Sequence, residues 1–152
     1  GYAAMVASTT QLNTPGIELG EMPDVHALTD VTGFGLLGHA LEIARGAGLT
    51  AQIEFARLPL LPGAAQLAQS GFVTGASGRN WSSYGNGVRV FEGCQDWQQA
   101  ILTDPQTSGG LLASCAPEAV DAVLDVFRRQ GFAHAAVIGR LVEGPAEAWV
   151  TA

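Results

Sequence analysis

Asp30 opens the stretch DVTGFGLLGH, which sets Gly33, Gly35 and Gly38 in G-x-G-x-x-G spacing. Glu54 follows about 20 positions later, completing the outline of a dinucleotide-binding turn. In such a turn the glycines directly follow a buried parallel strand, a near-continuous run of Val, Ile and Leu. The segment before them here is PDVHALTDVT, with a proline, a histidine and two acids. An aspartate beside a pyrophosphate repels it unless a divalent cation lies between them, and hard oxygen ligands suit magnesium. A third reading is that Asp30 or Thr32 caps the helix that follows. The local residues leave all three open.

Two further segments carry polar or glycine-rich chemistry. TDPQTSGG (103–110) offers the hydroxyls of Thr107 and Ser108 and the unhindered N–H groups of Gly109 and Gly110. Such a loop can cradle an anion, or simply form a rigid turn that feeds a strand. Ser108 lacks an identifiable base and the G-x-S-x-G elbow of a nucleophile. VTGASGRNWSSYGNG (73–87) reads as a long connecting loop, a type that is usually functional or mobile. Within it Gly75 and Gly78 permit unusual backbone angles, and Arg79 suits a phosphate or carboxylate. Trp81 and Tyr84 serve as lid, interface or anchor. His39, one turn into a helix, and His26, in an amphipathic strand, read as packed or solvated, because neither has a Cys or second His at metal spacing. Cys94 and Cys115 form no C-x-x-C and suit two reduced thiols of a cytoplasmic protein.

The periodicity says what must hold these residues. Residues 2–12 read as a helix with Ala3, Met5, Val6 and Leu12 on one face, and NTPG breaks it. Residues 16–24 read as loop. Val25–Leu28 is a short strand ending at Thr29-Asp30. A helix follows from about Gly35 to Arg45, with Leu36, Leu37, Ala40, Leu41 and Ala44 at helical spacing and Gly46 and Gly48 as stops. Leu49–Phe55 alternates as a strand. Pro62 starts a helix that ends by Gln69. Val88–Phe91 is a strand, residues 95–102 a helix and residues 111–115 a strand. Pro117 and Glu118 begin a helix lined by Val120, Val123, Leu124 and Phe127, with Arg128 and Arg129 in its last turn. Strands at Ala135–Val142 and Ala148–Thr151 finish the chain. The order predicts an α/β (α+β) layered domain, a mixed sheet with helices packed on it.

Composition removes several classes of function. The chain of 152 residues carries a net charge of −7 and contains no lysine, and its seven arginines form no basic stripe. Nucleic acid and acidic membranes are therefore not expected partners. No apolar run is long enough to span a bilayer, and the first residues lack the pattern of a secretory signal. The sequence opens without methionine, directly into a helix pattern, which suggests a piece of a longer protein.

TDVTGFGLLGH (29–39) and TDPQTSGGLL (103–112), in this order, strongly resemble the selenophosphate synthetases, or selenide, water dikinases. LPLLPGA (58–64), Gly78-Arg79-Asn80 and the opening MVASTTQLN are similar to segments of that family, so the resemblance covers nearly the whole chain. VTGASGRN departs from the Pro-Gly-Gly-Thr-like run common before the family's Arg-Asn.

The resemblance implies the C-terminal domain of a two-domain enzyme related to aminoimidazole ribonucleotide synthetase, with partial ferredoxin-like topology. Residues 1–24 would be a lead-in helix and linker, and 25–152 the core. The whole enzyme makes selenophosphate from selenide, ATP and water, releasing AMP and phosphate, as a cytoplasmic homodimer. An N-terminal ATP-binding domain, absent here, would carry the reactive Cys or selenocysteine, a lysine and further metal-binding aspartates, so this piece alone is expected to be inactive. By motif match Asp30 is the magnesium ligand. Thr29, Thr32, Gly33, Gly35, Thr107, Ser108, Gly109 and Gly110 would lie close to the ATP phosphates, with Arg79 and Asn80 as further candidates. The alternatives are another ATP-dependent member of the superfamily, in hydrogenase maturation or purine synthesis, or a non-catalytic nucleotide-binding or interaction module.

Overall fold

The computed structural model describes residues 2–152. Gly1, the first residue of the expected lead-in segment, lies outside the described residues. In chain order the elements are α1 (Tyr2–Thr10), α2 (Pro15–Leu19), β1 (Val25–Asp30), α3 (Gly35–Ala47), β2 (Thr50–Glu54), α4 (Ala64–Gln69), α5 (Gly75–Tyr84), β3 (Val88–Arg89), α6 (Asp96–Leu102), β4 (Leu111–Cys115), α7 (Val120–Arg129), β5 (Gly139–Val142) and β6 (Ala148–Thr151).

The α/β class, with a mixed sheet and packed helices, is as expected, but the strands divide between two sheets. One is a four-stranded mixed sheet in the order β3–β6–β2–β5. In it β6 runs parallel to both β2 and β3, and β5 runs antiparallel to β2. The other is an antiparallel ribbon of β1 and β4, with Asp30 opposite Leu111.

Each sheet has its own core. Leu37, Ala40, Leu41 and Ala44 recur at helical spacing on α3 and are buried against Ala51, Ile53, Ala148 and Val150 of the larger sheet. Gly48, in the left-handed region at φ +66°, ends that helix. On the ribbon, Leu19 of α2 meets Val123, Val126 and Phe127 of α7, with Val25, Leu28, Leu111 and Cys115 alongside. Arg129 ties the two helices together, donating to Glu18 at 2.8 Å and to Asp125 at 2.8 Å.

Three expectations are corrected. Residues 15–19 form a short helix rather than loop, because Pro15 at its first position suits helical φ and Leu19 is buried beneath it. The segment 73–87 is not an extended loop, for α5 occupies most of it. Thr74 caps that helix by accepting from the Ser77 N–H, and Gly75 and Gly78 have no positive φ. Finally, the apolar face read into α1 is not buried, since Tyr2, Met5 and Val6 are exposed, as is Leu12 beyond it. Among the described residues no helix is long and apolar enough to cross a membrane.

Candidate functional site

The ribbon brings the two glycine-rich loops together. β1 ends at Asp30, residues 31–34 turn into α3, and residues 103–110 lead from α6 into β4. Because β1 and β4 pair antiparallel, both loops leave the ribbon at the same end. Beyond the last strand pair the Val31 N–H donates to the Gly110 carbonyl at 2.9 Å. The Gln106 N–H donates to the Thr32 carbonyl at 3.0 Å. Asn13 donates its side-chain amide to the Gly109 carbonyl at 2.9 Å, adding a third backbone group to the joint.

Two of the glycines are required by this joint. Gly35 lies at φ +69°, and a Cβ there would sit 2.6 Å from the Thr103 carbonyl carbon. Gly109 is buried so tightly that its Cβ would run into the Val31 carbonyl oxygen. Gly35 and Gly109, expected near phosphate, therefore face protein. The third glycine of the motif, Gly38, is needed because a Cβ would strike Phe34 and the Tyr84 ring. Gly33 alone of the motif has nothing within 4 Å of a Cβ.

These contacts dispose of two of the local readings. In a dinucleotide turn the second glycine admits the pyrophosphate, but here that approach is filled by the backbone of Thr103 and Asp104. β1 and β2 also lie in different sheets, so β1-α3-β2 is not a parallel β-α-β unit, and Glu54 pairs with Arg57 at 3.3 Å instead. The capping reading fails as well: Phe34 is the residue at the N-cap of α3, and no side chain caps it.

Asp30 is exposed at the end of β1 and enters no ion pair among the described residues. Neighbouring side chains on a strand point to opposite faces, and Thr29 accordingly lines a separate groove of about 470 Å³ with His26, Glu42, Ile43 and Ser114. Thr29 and Asp30 are thus not brought to one surface. Thr107, Ser108 and Gly110 are exposed on the second loop, and Gly33 is exposed on the first. Thr32 is half-buried and turned to His39. Arg79 is exposed on α5, its guanidinium reaching back toward Gly75.

The side chains that hold the loops were not assigned that role from sequence. Asn80 on α5 donates its amide nitrogen to the Gly33 carbonyl at 2.9 Å and to the Thr103 carbonyl at 3.0 Å. Four residues on, the Tyr84 hydroxyl donates to the Phe34 carbonyl at 2.5 Å. Burial pushes the Tyr84 phenol up to about 12, against the smaller opposing effect of a backbone hydrogen bond at Gly38. The spacing Ser77, Asn80, Trp81, Tyr84 was the available signal, an inward helical face written mostly in polar residues.

His39 is buried on α3. The Thr32 backbone N–H donates to its Nε2 at 3.0 Å, so that nitrogen carries no proton. The proton sits on Nδ1, which donates to Glu42 at 2.9 Å. The ring is thereby a fixed acceptor for the turn rather than a free base. Asp104, half-buried, accepts from the Thr74 hydroxyl at 3.2 Å. Burial raises its carboxyl above the usual range, and the hydroxyl opposes that rise.

Among the described residues no three His, Cys, Asp or Glu side chains are grouped to hold a metal. Asp30 would offer magnesium one hard oxygen donor, and its other ligands would have to come from elsewhere.

The chain is thus an α/β domain in which two interlocked glycine-rich loops leave the Asp30 carboxylate exposed at the end of a strand. It belongs to the AIR synthase related protein, C-terminal domain, family, whose sequence pattern matches residues 7–150. It is 64% identical over 146 residues to the selenide, water dikinase of Burkholderia orbicola (strain MC0-3), covering 96% of this chain and 41% of that protein. It is 60% identical over 150 residues to the selenide, water dikinase of Pseudomonas straminea, covering 99% and 42%. For the selenide, water dikinase of Rhizobium meliloti (strain 1021) the figures are 50% over 146 residues, 96% and 42%. The chain therefore spans about two fifths of the length of the curated relatives it matches. Among solved structures, hydrogenase maturation protein HypE superposes with a TM-score of 0.56 at 22% identity, over 90% of this chain and 35% of that one. That is a likeness of fold.

Proposed function

We propose that this chain is the C-terminal domain of a selenide, water dikinase, and that it presents Asp30 as a magnesium ligand at the ATP phosphates. The observation that carries this reading is the exposed, unpaired carboxylate of Asp30 at the loop joint, within a sequence 50–64% identical to selenide, water dikinases. Magnesium, when bound, neutralises phosphate charge and acts as a Lewis acid in phosphoryl transfer. The contribution of this chain is one fixed oxygen donor, together with the exposed backbone around Gly33 and the hydroxyls of Thr107 and Ser108 beside it. Arg79 adds an exposed positive charge suited to a phosphate oxygen. The nucleophile, the lysine and the other metal-binding carboxylates belong to an N-terminal ATP-binding domain, and the whole enzyme works as a homodimer on ATP and selenide. The chain by itself makes no selenophosphate.

Asp30→Asn in the protein carrying this chain tests the assignment. Losing even an outer partner of a metal site costs about 10–100-fold. Loss of a direct carboxylate ligand is therefore expected to cut selenophosphate formation at least about 100-fold and to raise the magnesium needed for half-maximal rate. Because Asp30 is exposed and unpaired, thermal stability should not change. Wild-type rate and magnesium dependence in Asp30→Asn would remove Asp30 from the metal site.

A further inference from the structure

We propose that Asn80 is a positioning residue, a clamp that fixes the register of the two glycine-rich loops and through them the place of Asp30. The part concerning Asp30 rests on the function proposed above. The amide nitrogen of Asn80 has two hydrogens, and both are used: one on the Gly33 carbonyl at 2.9 Å, the other on the Thr103 carbonyl at 3.0 Å. The first acceptor belongs to the loop that carries Asp30, the second to the loop that leads into β4. Two carbonyl partners fix which way the amide points, since its oxygen in that place would face two acceptors. Both donors being occupied, Asn80 has none left for a phosphate, so it acts on the site through the loops.

The helix that carries Asn80 has its own anchors. The Ser77 hydroxyl donates to the Ala100 carbonyl at 3.0 Å, fixing α5 to α6. The Thr74 hydroxyl at its start donates to Asp104 at 3.2 Å, and the Tyr84 hydroxyl at its end holds the Phe34 carbonyl. α5 therefore lies along the joint as a strut, with Asn80 reaching both loops from its middle. Gly33 stands three residues beyond Asp30 and is otherwise in open space. Among the described residues Asp30 itself has no ion pair to hold it, so its position is set by the backbone of this turn.

The test uses Asn80→Asp, which keeps the shape but turns both donors into acceptors, and Asn80→Ala, which removes them. Ser83→Ala, on the exposed face of α5, is the control. Hydrogen exchange by mass spectrometry in the protein carrying this chain reads the backbone amides of Val31 and Gln106, which close the joint. Exchange at these amides is expected to quicken about tenfold or more in both Asn80 variants, more in Asn80→Asp, and not in Ser83→Ala. Under conditions where the variants remain folded, the magnesium concentration for half-maximal selenophosphate formation should rise about tenfold, with a smaller change in KM for selenide. Unchanged exchange in both variants would overturn the clamp. Faster exchange with unchanged magnesium dependence would overturn the link to Asp30 and reduce Asn80 to a brace of the fold. A wild-type protein without magnesium-dependent selenophosphate formation would defeat the functional reading instead, and the exchange result would still decide the clamp.

Discussion

Gly35→Ala separates the cost of a backbone angle from the cost of the loop joint. Gly35 and Gly48 have nearly the same φ, +69° and +66°. An L-residue in that region pays about 1–2 kcal/mol. At Gly48 nothing lies within 4 Å of an added Cβ, so Gly48→Ala carries the backbone term alone. At Gly35 the added Cβ would sit 2.6 Å from the Thr103 carbonyl carbon and 2.9 Å from its oxygen. Thr103 cannot give way cheaply, because its carbonyl is held by Asn80 and its buried hydroxyl donates to the Gln99 carbonyl at 2.8 Å. Forcing atoms into such a contact costs about 1–3 kcal/mol more. The expected losses are therefore about 2–5 kcal/mol for Gly35→Ala and about 1–2 kcal/mol for Gly48→Ala. The gain of about 0.4–1 kcal/mol from a stiffer unfolded chain applies to both and cancels in the comparison. Urea unfolding followed by circular dichroism measures each loss, and in a chain of this size each kcal/mol moves Tm by about 2–4 °C. Equal losses in the two variants would refute the claim that Gly35 is required by contact with the second loop.

Two other buried groups give sharp expectations. His39→Leu leaves the Thr32 N–H without its acceptor and should cost about 1–3 kcal/mol in urea unfolding, with faster exchange of the Thr32 amide; His39→Gln, which keeps an acceptor, should recover part of both. Unaltered stability in His39→Leu would contradict the acceptor role of the His39 Nε2. Tyr84→Phe should cost about 1–3 kcal/mol at neutral pH by stranding the Phe34 carbonyl. It should also change the alkaline limb. The folded phenol titrates at about 12 and the unfolded one at 10.0, so its contribution is whole below the lower value and lost as pH rises through the higher. Wild-type protein should thus lose on the order of 2–3 kcal/mol across that window, a fall that Tyr84→Phe lacks; parallel curves would count against the burial of the phenol.

Much of the fold was legible because its core follows simple periods. Leu37, Ala40, Leu41 and Ala44 repeat as a helix must, and Ala51 and Ile53 alternate as a strand must. The helix at 75–84 was not legible in that way. Its inward face is Ser77, Asn80, Trp81 and Tyr84, so hydrophobicity gives no stripe, and Gly75 and Gly78 lower its helix propensity. Tertiary hydrogen bonds, to Ala100, Gly33, Thr103 and Phe34, add to the packing of Trp81 and Tyr84 on the core there. The division into two sheets was hidden for a related reason. Strand pairing depends on partners distant in sequence, and nothing local to VHALTD says that it pairs with LLASC rather than with TAQIE. At the site, the motif pointed to Asp30, which is exposed at the strand end, but it suggested a phosphate beside Gly35, where the chain places its own backbone.

That substitution of protein for phosphate bears on how the loop works. A cation-binding carboxylate contributed by one segment of a site is useful only if its position is fixed before the other oxygens arrive, because a mobile donor pays its ordering cost on binding. An aspartate at a strand end has one neighbour in the ladder and none beyond. Here the turn after it is held on four sides: by Gly110 through Val31, by Gln106 and His39 through Thr32, by Asn80 through Gly33, and by Tyr84 through Phe34. Gly35 and Gly109 let the two loops close to contact, and Gly38 lets α5 approach α3. The glycines that resemble a ligand-binding fingerprint therefore serve mainly to make the turn rigid. Gly33 keeps a face of it open.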